Sequence, residues 1–133
     1  MLIADDSALL RKRLKELLRG IKGVQLAGEA ANVGEALAAV RSLEPDLVLL
    51  DIQMPGGSGI EVLREVKRQN ASIIVIMFTN HTYPQYQRHC AEFGADYFLC
   101  KSTDSKLLIE IIEQLAAERT DTSAGFPTER KGD

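Results

Sequence analysis

Two acids, Asp5 and Asp6, end the first short apolar run of the chain, and a third, Asp51, ends the run that begins at Asp46. If those runs lie side by side as strands, the three carboxylates share one edge of a sheet. Two unit charges about 4 Å apart repel by roughly 4 kcal/mol at an effective dielectric near 20. A bound divalent cation removes that cost, and an aspartate held beside it is suited to accept a phosphoryl group. Later apolar runs end in a hydroxyl, Thr79, and an ammonium, Lys101. Acids, hydroxyl and ammonium on one edge make a balanced site for phosphate and a cation.

Such a site needs a scaffold that brings distant strand ends together. Short apolar runs alternate here with longer amphipathic segments, the pattern of βα units and a parallel sheet. Strands are predicted at Met1–Ala4, Val24–Gly28, Leu47–Leu50, Ile73–Phe78 and Asp96–Cys100. The third and fourth are nearly all apolar, as befits strands covered on both faces. The first helical pattern puts Leu10, Leu14, Leu17 and Leu18 on one face, between a Ser7 cap and a Gly20 stop. The second carries Val33, Ala36, Leu37 and Val40 after an Asn32 cap, and Pro45 limits its extent. The third starts near Ser58 or Gly59 and presents Ile60, Leu63 and Val66. Pro84 suits the first turn of the fourth, where Tyr86, Cys90 and Phe93 fall at helical spacing before Gly94. Leu107, Leu108, Ile111, Ile112 and Leu115 follow Asp104 in the fifth, which closes at Glu118. Ligands of open parallel sheets bind beyond the carboxyl ends of the strands, where Asp5, Asp6, Asp51, Thr79 and Lys101 fall. The second strand offers only Glu29.

A chain of 133 residues suits one domain. It buries roughly two-thirds of its unfolded surface and needs no structural metal to fold, so a metal here is functional. The net charge of -3 and the lack of a basic cluster argue against direct nucleic-acid binding. Lys12 and Arg13 read as a solvated helix face. Cys90 and Cys100 lack metal-ligand spacing and read as buried hydrophobes. The longest continuous apolar stretch, Ile73 to Phe78, is too short to span a bilayer, so a cytoplasmic protein is expected. From Thr120 the sequence TDTSAGFPTERKGD loses all apolar periodicity and reads as a disordered tail or linker.

The succession DD, DIQMPGGSG, MFTN and GADYFLCKS, in that order and in a βα context, resembles the receiver domain of two-component response regulators from Met1 to about Glu118. The resemblance implies a doubly wound (βα)5 α/β fold of the flavodoxin-like kind. Its five-stranded parallel sheet has the order 2-1-3-4-5 with helices on both faces, over residues 1–118, and 119–133 form the tail. Asp51 then resembles the phospho-acceptor. Asp5 and Asp6, with Asp51 and the backbone carbonyl of Gln53, resemble the ligands of Mg²⁺. Lys101 resembles the lysine that pairs with phosphoryl oxygens, and Thr79 and Phe98 resemble the switch hydroxyl and switch aromatic. The phosphoryl donor implied is a sensor histidine kinase, a phosphotransfer protein or a small phosphodonor. The readout implied is the surface of the fourth helix, fifth strand and fifth helix, presented to a downstream partner or an output domain.

Several positions depart from the common pattern. Ser102 follows Lys101 where many receivers have proline, and Asn80 follows Thr79 where a small residue is common. Gln53 and His81 occupy positions that tune water access in the family, so an altered autodephosphorylation rate is expected. Met54 to Gly59 fit the loop after the acceptor, and Tyr83 and Tyr86 read as half-buried. Two other functions compete: a degenerate receiver that only binds proteins, and a Mg²⁺-dependent hydrolase with Asp51 as nucleophile. Such hydrolases commonly need a second acid two residues after the nucleophile, and Gln53 stands there, so no enzyme is expected. GVQLAGEA and the missing proline are reminiscent of receivers joined to helix-turn-helix transcription factors. A single-domain regulator and the receiver half of a larger one both remain open.

Overall fold

The computed structural model describes residues 1–124, with side chains through Glu118. Its elements run β1 (Leu2–Ala4), α1 (Ala8–Arg19), β2 (Gly28–Ala30), α2 (Val33–Leu43), β3 (Leu47–Leu50), β4 (Gln53–Met54), β5 (Gly57–Ser58), α3 (Gly59–Gln69), β6 (Ile74–Thr79), α4 (Pro84–Glu92), β7 (Tyr97–Cys100) and α5 (Ser105–Ala124). Five strands form one parallel sheet in the order β2-β1-β3-β6-β7, which is the expected 2-1-3-4-5 when the small β4–β5 hairpin is set aside. The central strands are buried, all of β3 and all of β6 but its first residue Ile74, because both faces are covered. Alternate residues build two cores: Leu2, Val48, Leu50, Val75 and Met77 pack with α2, α3 and α4, while Ile3, Leu49, Ile76, Phe78 and Leu99 pack with α1 and α5.

Local chemistry sets the helix starts. The hydroxyl of Ser7 accepts the N–H of Leu10 at 3.1 Å, and Asn32 Oδ1 accepts the N–H of Glu35 at 2.8 Å. Ser58 and Glu61 form a reciprocal capping box that starts α3 directly after the β4–β5 hairpin. Pro84 occupies the first turn of α4, and Gly94 takes φ +96 just after its end, a conformation that only glycine adopts cheaply.

The differences from the sequence reading have physical causes. The second strand comes later than Val24–Gly28, because Val24 and Leu26 lean on the α1–α5 core as a connecting segment and only Gly28, Glu29 and Ala30 align with β1. Leu17 is 52% exposed: Leu14 and Leu18 face inward, and Leu17 falls outside their stripe. Leu107 is exposed for the same reason, beside buried Leu108 and Ile112. Thr79 is the last residue of β6 rather than a loop residue. Helix α5 continues through Ala124, past the expected close at Glu118, and residues 125–133 of the expected tail lie outside the described residues.

Candidate functional site

Parallel pairing of β1 with β3, Leu2 to Val48 and Ala4 to Leu50, brings the ends of these strands level. Asp5 and Asp51 therefore emerge side by side, and both are buried, at 3% and 5% exposure. Each keeps one oxygen tied to local backbone: Asp5 Oδ1 accepts the N–H of Ser7 at 2.9 Å, and Asp51 Oδ1 accepts the N–H of Ile52 at 2.7 Å. The other oxygens converge on one cation. Lys101 Nζ lies 2.6 Å from Asp5 Oδ2 and 2.8 Å from Asp51 Oδ2. Burial alone would lower the lysine pKa, but the hydrogen bonds and charges of Asp5 and Asp51 prevail and raise it above the ordinary value. The ammonium thus stays charged at neutral pH.

Asp6 completes the cluster from the exposed side, with carboxylate oxygens of Asp5, Asp6 and Asp51 all within 4.8 Å of one another. Hard oxygen donors with one solvent-facing member suit Mg²⁺, which binds few carboxylates and keeps several waters. The donor chemistry therefore fits the ion. Gln53 follows in the β4–β5 hairpin, paired with Ser58, with its side chain exposed. Gly59 explains how α3 can start so near the acceptor: a Cβ there would collide with the carbonyl oxygen of Asp51, and its N–H donates to the carbonyl of Ile52 at 2.6 Å.

Thr79 is fully buried, and its Oγ1 accepts the N–H of His81 at 3.1 Å. Met77, two residues earlier on the same face of β6, is in register with Phe98. Phe98 is half-buried against the core beneath α3 and α4, on the face to which Thr79 belongs. Asn80 is exposed and His81 half-buried, next to Tyr86. Tyr86 is half-buried as expected, whereas Tyr83, just before Pro84, is 61% exposed. The Lys101–Ser102 bond is trans.

Two features correct or extend the sequence reading. Cys90 is fully buried, and burial pushes its thiol up to about 11. Cys100 is not a buried hydrophobe. Its Sγ lies 3.2 Å from Ser102 Oγ, and that hydrogen bond, followed by the one to Thr103, lowers its pKa. Arg11 stands beside the site: its Nη1 donates to the Asp5 carbonyl at 2.6 Å and its Nε to Glu29 Oε1 at 2.9 Å. Lys15 Nζ reaches the second oxygen of Glu29 at 2.7 Å. The i, i+4 spacing of Arg11 and Lys15, facing an acid on the neighbouring strand, is the signal that points to this group.

Comparison with known proteins identifies the family. Residues 1–113 match the family described as the response regulator receiver domain. The chain is 31% identical over 117 residues to the nitrate/nitrite response regulator protein NarL of Escherichia coli K12, covering 88% of this chain and 54% of NarL. It is 34% identical over 122 residues to the transcriptional regulatory protein BtsR of Salmonella typhi, covering 90% of this chain and 49% of BtsR. It thus spans about half the length of these curated relatives. A protein-glutamate methylesterase/protein-glutamine glutaminase of Treponema denticola matches at 35% identity over 80% of this chain, but over only 29% of its own length. Among solved structures, a LuxR-family two-component response regulator from Aurantimonas superposes with TM-score 0.79 at 29% identity, covering 97% of this chain and 95% of that one. A CheY solved with CheX, BeF3 and Mg²⁺ from Borrelia burgdorferi gives 0.77 at 28% identity, with 86% of each chain covered. The chain belongs to the response regulator receiver domain family.

Proposed function

We propose that Asp51 accepts a phosphoryl group from a histidine kinase, a phosphotransfer protein or a small phosphodonor, in a reaction that requires Mg²⁺. The observation that carries this reading is the single ammonium of Lys101 held between the buried carboxylates of Asp5 and Asp51, with Asp6 on the open side. A carboxylate oxygen of Asp51 forms the new O–P bond as the bond from phosphorus to the donor breaks; the departing electron pair stays on the donor, where a histidine nitrogen takes up a proton and acetate leaves as its anion. Asp5, Asp6 and Asp51, with the backbone carbonyl of Gln53, are the ligands proposed for the ion. When bound, Mg²⁺ supplies charge neutralisation for the acids and the incoming phosphoryl oxygens. Lys101, charged and already at the acceptor, pairs with those oxygens as transfer proceeds. The B. burgdorferi structure supports the choice of ion and anion, since BeF3 is of phosphoryl size.

Thr79 then gives up its role as acceptor for His81 N–H and donates its hydroxyl to the new phosphoryl group, moving the segment after β6. Phe98, on the same face, repacks with it. The readout is the surface of α4, β7 and α5, where Tyr83, Tyr97 and Leu107 are exposed. Its recipient is a downstream protein or an output domain. Chemical turnover is limited to the protein's own phosphoryl group, because Gln53 provides no second acid for exogenous esters. No described helix is long and apolar enough to cross a membrane. Incubation with acetyl phosphate and Mg²⁺, read by intact mass, is expected to add one phosphoryl group to the wild type and none to Asp51→Asn. Equal labelling of both, or no labelling of the wild type by small donors or by its kinase, overturns the reading.

A further inference from the structure

We propose that Arg11 is a positioning residue for the divalent-cation site, acting through the backbone of the acidic pair. This rests on the reading of Asp5, Asp6 and Asp51 as metal ligands. The Asp5 carbonyl belongs to the peptide unit that joins Asp5 to Asp6, so a donor fixed on that oxygen fixes the plane from which the exposed Asp6 departs. Arg11 Nη1 is such a donor, at 2.6 Å. The guanidinium is itself held: Nε donates to Glu29 Oε1 at 2.9 Å, and Lys15 holds the other Glu29 oxygen at 2.7 Å. On the opposite side of the same residue, Asp5 N–H donates to the Ala30 carbonyl at 2.9 Å. The β1–α1 turn is therefore gripped from β2 by two routes, one through backbone and one through Glu29 and Arg11. A planar fork can serve Asp5 and Glu29 together, whereas a lysine ammonium on a flexible stem does not reproduce that geometry. Groups that orient ligands without touching the ion typically alter metal affinity by about tenfold or more.

Charge and geometry make opposite demands, which makes the proposal decisive to test. A cation near the site repels Mg²⁺, so if Arg11 acted through its charge alone, its removal would tighten binding. Positioning predicts the reverse. Mn²⁺ binding, followed by the electron paramagnetic resonance of free Mn²⁺, reads affinity without any phosphoryl transfer. The expected result is about tenfold weaker binding in both Arg11→Ala and Arg11→Lys, and a smaller loss in the same direction in Glu29→Gln, whose amide still accepts from Nε. Circular dichroism of each variant checks the fold, and Glu29→Gln keeps the test open if Arg11→Ala does not fold. With acetyl phosphate, the Mg²⁺ concentration giving half-maximal rate should rise, while the rate at saturating Mg²⁺ stays within about twofold. Binding unchanged or tighter in the Arg11 variants, or fully restored by lysine, overturns the inference. Wild-type Mn²⁺ binding that survives both Asp6→Asn and Asp51→Asn instead overturns the metal-site reading beneath it.

Discussion

At the scale of single residues, the centre is a charge balance. Two buried carboxylates face each other across one ammonium, and a third waits at the surface. Removing the cation leaves Asp5 and Asp51 uncompensated. Because Lys101 is 17% exposed, the cost is less than for a fully buried pair. We expect Lys101→Ala to lower stability by roughly 1–3 kcal/mol in a chelator and by clearly less with Mg²⁺ present. Urea unfolding under the two conditions checks this, and an equal loss in both would separate the lysine from the metal site. These residues were legible in the sequence because each stands at the end of an apolar run, where the topology of a parallel sheet collects them. Arg11 was not legible. It sits beside Lys12 and Arg13 on a basic helix, and only the phase of α1 against β2 decides which of the three reaches the turn.

At the scale of elements, the strand ends and the start of α3 are pressed together. Gly59 opens α3 at a point where the carbonyl of Asp51 leaves no room for a methyl group. Gly59→Ala must push α3 or the acceptor strand aside. A loss of about 1–3 kcal/mol in urea unfolding, with slower labelling by acetyl phosphate, is expected. Unchanged stability and labelling would show that the approach is slack. The sequence marks Gly59 as part of the loop after the acceptor and a candidate start of the third helix, but not its contact with Asp51, because a close approach of backbone is set by tertiary packing. The same limit explains the displaced second strand: Val24 and Leu26 alternate as a strand would, but their burial comes from leaning on the α1–α5 core. Where burial on both faces made the pattern unambiguous, as in β3, the expected and observed strands coincide at Leu47–Leu50.

At the scale of the molecule, two cores flank one sheet, and its carboxyl edge gathers chemistry from four strands. Five parallel strands and their order followed from the βα alternation together with the family resemblance, and the chain's match over residues 1–113 agrees. The end of α5 did not follow, because TDTSA carries no apolar stripe to mark a helix and yet the helix runs through it. The chain spans about half the length of NarL and BtsR, and the recipient we propose for the switched surface is a downstream protein or an output domain. The central claim is that one carboxylate takes the phosphoryl group. Borohydride reduces an aspartyl phosphate to homoserine, so reduction after treatment with acetyl phosphate and Mg²⁺, followed by peptide mass analysis, locates it directly. The account predicts homoserine at position 51 alone, dependent on Mg²⁺; reduction at another acid, or none when intact mass shows a phosphoryl adduct, would contradict it.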